Sequence, residues 1–174
     1  MAALGDQPLQ RLPSGYGELD RVLGGGLVPG SLVLVGGDPG IGTSTLLLQS
    51  ASTMAAQTSV LYVSAEESAQ QVKLRWQRLA GGPSDLQLLA ETDLELVLEE
   101  LEALRPDVAI IDSIQALHDA NLPSAPGSVG QVRECAAALQ RLANRQTTAL
   151  LLVGHVTKEG MLAGPKVLER LVDA

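Results

Sequence analysis

The chain has 174 residues and 45% hydrophobic content, enough for one sizeable buried core. Its net charge of −8 argues against binding nucleic acid over its whole surface, so any such contact needs a local basic patch. Aromatic residues are 2% of the chain, with no Phe and one Trp, which argues against a base-stacking platform, and the single cysteine excludes an intrachain disulfide or a cysteine-based zinc site.

The first fifteen residues lack a basic region followed by an apolar run, so no secretory signal is expected. No apolar stretch approaches the ~20 residues needed to span a bilayer. A cytoplasmic protein is the expectation. Short apolar runs then alternate with amphipathic stretches. Segments 31–36 (SLVLVG), 59–63 (SVLYV), 108–112 (VAIID) and 149–153 (ALLLV) read as buried parallel strands, with 85–89 a weaker one. Helical spacing is expected at 44–54, 68–79, 93–104 and 129–143. Ser68 and Thr92 are expected N-caps, and Pro106 is expected to end the third helix. This alternation predicts an α/β fold, a mostly parallel sheet with helices on both faces, as one domain over residues 1–174. Residues 122–130 (LPSAPGSVG) read as the one long loop.

The segment Gly37, Asp38, Pro39, Gly40, Ile41, Gly42, Thr43, Ser44 follows a predicted strand and opens a predicted helix, the placement of a phosphate-binding loop. Its glycines let backbone N–H groups turn inward, and the helix N-terminus adds positive potential for a polyphosphate. Ser44 stands where a hydroxyl ligand of Mg²⁺ belongs. Thr43 stands where the motif has lysine, so a neutral hydroxyl replaces a full positive charge. The same pattern also suits a Gly-rich turn with no ligand.

Glu66 and Glu67 follow the second predicted strand, at the end of a parallel sheet where ligands bind. A carboxylate there can polarise an attacking water, Glu66 first and Glu67 second; the alternative is a pair of acids complementing a helix dipole. Lys73, Arg75 and Arg78 lie on the next helix. Arg75 is the one expected to lie against a nucleotide base or reach a neighbouring subunit; solvated basic residues are the alternative. Asp112 closes an apolar strand, the position of a carboxylate that holds hydrated Mg²⁺. His155 ends the last strand, as a sensor of the terminal phosphate or a simple strand-end side chain. His118 is expected to be structural.

Segments 12–27 (LPSGYGELDRVLGGGL), 36–49 (GGDPGIGTSTLLLQ), 61–74 (LYVSAEESAQQVKL), 110–117 (IIDSIQAL), 125–137 (APGSVGQVRECAA) and 153–173 (VGHVTKEGMLAGPKVLERLVD) together resemble the bacterial RadA/Sms family. The last two are far more specific than a phosphate loop. The resemblance implies a RecA-like P-loop ATPase that forms a homo-oligomer, a hexameric ring, and acts in DNA repair and recombination on single-stranded or branched DNA. Carried over by position, Gly37, Gly40, Gly42, Ser44 and the flanking loop residues through Thr45 would contact ATP or ADP. Ser44 and Asp112 would hold Mg²⁺, Glu66 would be the general base and His155 the sensor. The loops after Asp112 and His155 would face DNA, with Lys158 and Lys166 as phosphate contacts. The chain departs from the family at Thr43. The family's zinc finger, its KNRFG motif and its Lon-like domain fall outside residues 1–174. An alternative function is a nucleotide-binding assembly module with little or no hydrolysis.

Overall fold

The computed structural model describes residues 11–37, 42–80 and 85–155. Five strands form one sheet in the order β1-β5-β4-β2-β3, with β1 Leu32–Gly37, β2 Val60–Ser64, β3 Gln87–Ala90, β4 Val108–Asp112 and β5 Ala149–His155. Every neighbouring pair is parallel. The expected α/β architecture therefore holds. β5 runs through His155, which ends the strand.

Both faces of the sheet are covered, and strand pleating divides the apolar residues between them. Leu61 and Val63, Ala109 and Ile111, and Leu150 and Leu152 point to one face, where they meet α4 (Leu94–Leu104) and α5 (Val129–Gln146). Tyr62, Val108, Ile110, Leu151 and Val153 point to the other, under α2 (Thr43–Met54) and Val72 of α3 (Ala69–Ala80). Two-sided burial is why β2 and β4 read as unbroken apolar runs.

Local signals set the helix ends. Gln71 donates its backbone N–H to the Ser68 hydroxyl, and its side chain accepts from the Ser68 N–H, so the expected cap at Ser68 closes as a reciprocal box. The cap of α4 differs from expectation: Asp93, not Thr92, accepts from Glu95 N, because the helix starts at Leu94 and the acceptor belongs one residue before it. The helix stops at Arg105, whose φ of 45° is left-handed, ahead of Pro106. The short α1 (Gly17–Val22) carries no buried residue and gave no apolar period to read. Gly26 lies beside the Leu12–Leu27 bridge, where an added Cβ would sit 2.6 Å from the Leu12 carbonyl.

Gln131 ties down the middle of the loop between β4 and α5. Gln131 is fully buried; its Oε1 accepts from Asp119 N, and its Nε2 donates to the carbonyls of Asp119 and Ser124. The main chain of His118 bridges to Asp93. Gln131→Leu is expected to strand three part-buried backbone groups and cost about 2 kcal/mol, since an orphaned buried group costs roughly 1–3 kcal/mol and a part-buried one less. Urea unfolding of the two proteins measures this; equal midpoints would contradict it.

Candidate nucleotide and metal site

Register brings the polar residues together. Ser64 pairs with Asp112, Asp112 with Val153, and Gly37 with His155, so the carboxyl ends of β1, β5, β4 and β2 lie side by side. Pleating sets the side. Asp112 has the parity of Ile110, and His155 that of Leu151 and Val153, so both belong to the face covered by α2. That helix begins at Thr43, with Gly42 before it at a φ of 81°. Among the described residues nothing lies within 4 Å of an added Cβ at Gly42, and its left-handed φ is what calls for glycine. Thr43, Ser44 and Thr45 open the helix, all half-buried. The core of the predicted phosphate loop, Asp38 to Ile41, lies outside the described residues, as do Lys158 and Lys166.

A turn after β2 presents the two glutamates differently. The Ser64 hydroxyl donates to the Glu67 carbonyl and accepts from the Glu67 N–H, folding the chain back on itself. Glu67 then pairs with Arg75 at 2.6 Å, which fixes Arg75 along its own helix. Arg75 Nε and Nη2 are buried and meet no acceptor among the described residues. Glu66 turns the other way. Its Oε1 accepts from the Ser113 hydroxyl at 2.6 Å, and its Oε2 lies 3.0 Å from His155 Nε2.

Asp112 is buried, and its Oδ2 accepts from the Tyr62 hydroxyl at 2.6 Å. Burial, and then the neighbouring Asp112 carboxylate, push the Tyr62 hydroxyl well above the usual phenol range, so it stays protonated and donates. Asp112 Oδ1 is buried with no donor among the described residues. A buried carboxylate oxygen without a donor is costly unless a cation meets it. The residues therefore fit a divalent ion. One ligand atom each from Glu66, Asp112 and His155 lies within 4.8 Å of the other two.

Three contributors were not legible as site residues. Tyr62 left a faint signal, a hydroxyl on a buried strand with the same parity as Asp112. Ser113 adjoins Asp112 but has no motif of its own. Gln115 sits on a one-turn 3-10 helix (Ile114–Ala116), where its Nε2 donates to the His155 carbonyl and its Oε1 accepts from the His155 N–H.

The AAA domain family matches residues 4–161. A DNA repair protein RadA from Synechocystis sp. is 59% identical over 181 aligned residues, covering 94% of this chain and 36% of the relative. The RadA of Listeria monocytogenes is 54% identical over 165 residues, again 94% of this chain and 36% of the relative. The chain belongs to the AAA domain family, in its RadA/Sms branch. This RadA-type chain thus spans 36% of the length of these curated relatives. Among solved structures, the ATPase domain of G40P superimposes with a TM-score of 0.74 at 16% identity, over 97% of this chain and 76% of that one. A DnaB-like replicative helicase superimposes with a TM-score of 0.71 at 16% identity, over 87% of this chain and 44% of that one. At that identity the likeness bears on the fold alone, which is that of a RecA-like P-loop core. No helix among the described residues is long and apolar enough to cross a membrane.

Tyr62→Phe is expected to remove the donor to Asp112 Oδ2 and to cost roughly 1–3 kcal/mol in urea unfolding at neutral pH. A phenol whose folded pKa is raised stabilises the fold fully below its unfolded pKa of about 10 and loses that contribution as pH rises further. The wild type should therefore lose stability above that pH more steeply than Tyr62→Phe. Parallel stability profiles would contradict the assignment.

Proposed function

We propose that this RadA-type chain is the ATPase module of a DNA repair protein, binding ATP or ADP with Mg²⁺ and acting on single-stranded or branched DNA. One observation carries the nucleotide reading: Asp112, with a buried oxygen that meets no donor among the described residues, and Glu66 lie together at the strand ends on the face covered by α2. Polyphosphate binding at such a helix start is favoured by its free N–H groups and dipole.

In this reading Asp112 and the Ser44 hydroxyl hold the ion. When bound, Mg²⁺ supplies charge neutralisation to the phosphate oxygens. Glu66 is the base: it takes a proton from the water whose oxygen attacks the terminal phosphorus, and ADP leaves as the bond to its β-phosphate oxygen breaks. Ser113 keeps one Glu66 oxygen occupied, leaving Oε2 for that water. His155 Nε2 lies 3.0 Å from that same oxygen, which places its imidazole where it can sense what Glu66 engages. Glu67 is tied to Arg75 and is the weaker candidate for the base. Arg75 keeps its place as a candidate for contact with the base of the nucleotide or a neighbouring subunit through two nitrogens that meet no acceptor among the described residues.

Thr43 favours a second reading, a nucleotide-holding assembly module with little turnover. Loss of one transition-state donor costs roughly 10²–10³ in rate. Calorimetry with Mg²⁺ and ATP or ADP is expected to give weak binding, and silence at millimolar nucleotide would remove the site. Thr43→Lys is expected to raise turnover by a factor within that range. A variant that folds and binds ATP with unchanged turnover would show that the lysine was not the limiting group.

The DNA reading rests on the family and on charge. Of the two loops expected to face DNA, residues 113–128 contain no Lys or Arg, which leaves the segment after His155, with Lys158 and Lys166, to supply phosphate contacts. With a net charge of −8, affinity requires these lysines to converge in an assembled ring of copies, in a cytoplasmic protein. Lys158→Ala and Lys166→Ala are each expected to weaken binding of all single strands alike and to flatten the log–log salt slope by roughly 0.7. Fluorescence anisotropy across salt and protein concentration checks this; affinity indifferent to both substitutions places the DNA path elsewhere.

A further inference from the structure

We propose that Glu66, Asp112 and His155 form a site for one borderline divalent cation, of the kind represented by Zn²⁺, that needs no nucleotide. The arrangement of the two carboxylates carries this. Each has one oxygen held by a hydroxyl: Ser113 donates to Glu66 Oε1 and Tyr62 to Asp112 Oδ2, both at 2.6 Å. The remaining oxygens differ in partner. Glu66 Oε2 faces His155 Nε2 at 3.0 Å, and Asp112 Oδ1 is buried with no donor among the described residues. Hydroxyls that orient ligating carboxylates from behind are what a metal centre needs around its first ligands. His155 is steadied too, through the two hydrogen bonds between its main chain and the Gln115 amide.

The spacing suits an ion. Zinc bonds of about 2.0–2.2 Å hold tetrahedral ligand atoms roughly 3.3–3.6 Å apart. The three atoms here already lie within 4.8 Å of one another, so small side-chain rotations close the set. Two carboxylates so near each other also repel unless a cation or proton intervenes. The donor set decides which cation. An imidazole nitrogen favours Zn²⁺ and its transition-metal neighbours over Mg²⁺, which prefers oxygen and keeps its waters. Three protein ligands leave a fourth tetrahedral position open. Asp112 is shared with the Mg²⁺ reading above, while recruitment of the imidazole belongs to this site alone.

The chain has two histidines, His118 and His155, so the ring protons give a sparse proton NMR spectrum in which each can be followed. Zn²⁺ added to the nucleotide-free chain is expected to move the His155 signals at one equivalent and leave those of His118, assigned with His118→Ala, in place. Mg²⁺ at the same concentration is expected to move neither. In calorimetry His155→Ala is expected to lose the one-to-one Zn²⁺ event, and Ser113→Ala to weaken it by about tenfold or more. The idea is overturned if Zn²⁺ leaves His155 unmoved, moves His118 alone, or binds folded His155→Ala as tightly as the wild type. Should His155→Ala fail to fold, the wild-type spectrum still decides. Because no nucleotide is present, failure here leaves the ATP reading standing, and failure of ATP binding leaves this one standing.

Discussion

A parallel sheet covered on both faces gives its strands no polar surface along their length. Each inward-pointing side chain of β2 and β4 is met by a helix, so charge and hydroxyl groups collect where the helices end. Parallel strands all end on the same side. The carboxyl ends of β2, β4 and β5 therefore form a shared polar rim, and register places Ser64, Asp112 and Val153 in line across it. Alternation then selects which rim residues look toward α2. Everything distinctive about the site follows from that placement of a few polar groups at the edge of an apolar slab.

The rim handles its negative charge with neutral donors. Tyr62 reaches up from within the core to Asp112, and Ser113 reaches across to Glu66. Neither contributes a positive charge, so the carboxylates keep their attraction for a cation while losing freedom to swing. The guanidinium of Arg75 is drawn aside by Glu67. A direct ion pair between Arg75 and Glu66 would have neutralised the group best placed for chemistry. Two adjacent glutamates with opposite orientations separate those tasks.

Much of this could be read from the residues. Apolar runs at 59–63 and 108–112 gave buried parallel strands, because two-sided burial removes any polar alternation. The ends of β1, β2, β4 and β5 supplied the positions of Gly37, Glu66, Asp112 and His155 before any distance was known. What stayed hidden depended on contacts distant in sequence. The Tyr62–Asp112 bond spans fifty residues and the His155–Glu66 contact eighty-nine, and no local spacing encodes either. The α1 turn was invisible for another reason: with none of its residues buried, it leaves no periodic trace. Gln131 appeared only as a letter in a family-specific segment; its burial under the 119–124 loop gives that letter a physical reason.

Gln115 has a mechanical consequence. β4 stops at Asp112, opposite Val153, and β5 continues two residues further. At His155 the amide of Gln115 takes over the part of the absent neighbouring strand, offering one donor and one acceptor to the main chain. The 3-10 turn after β4 is thereby yoked to the tip of β5 without a peptide link between them. A shift of that turn, whatever produces it, pulls on the backbone from which the segment beyond His155 departs. Rotation of an ordinary side chain would spend itself in solvent; here it is geared to the main chain of the last described strand residue.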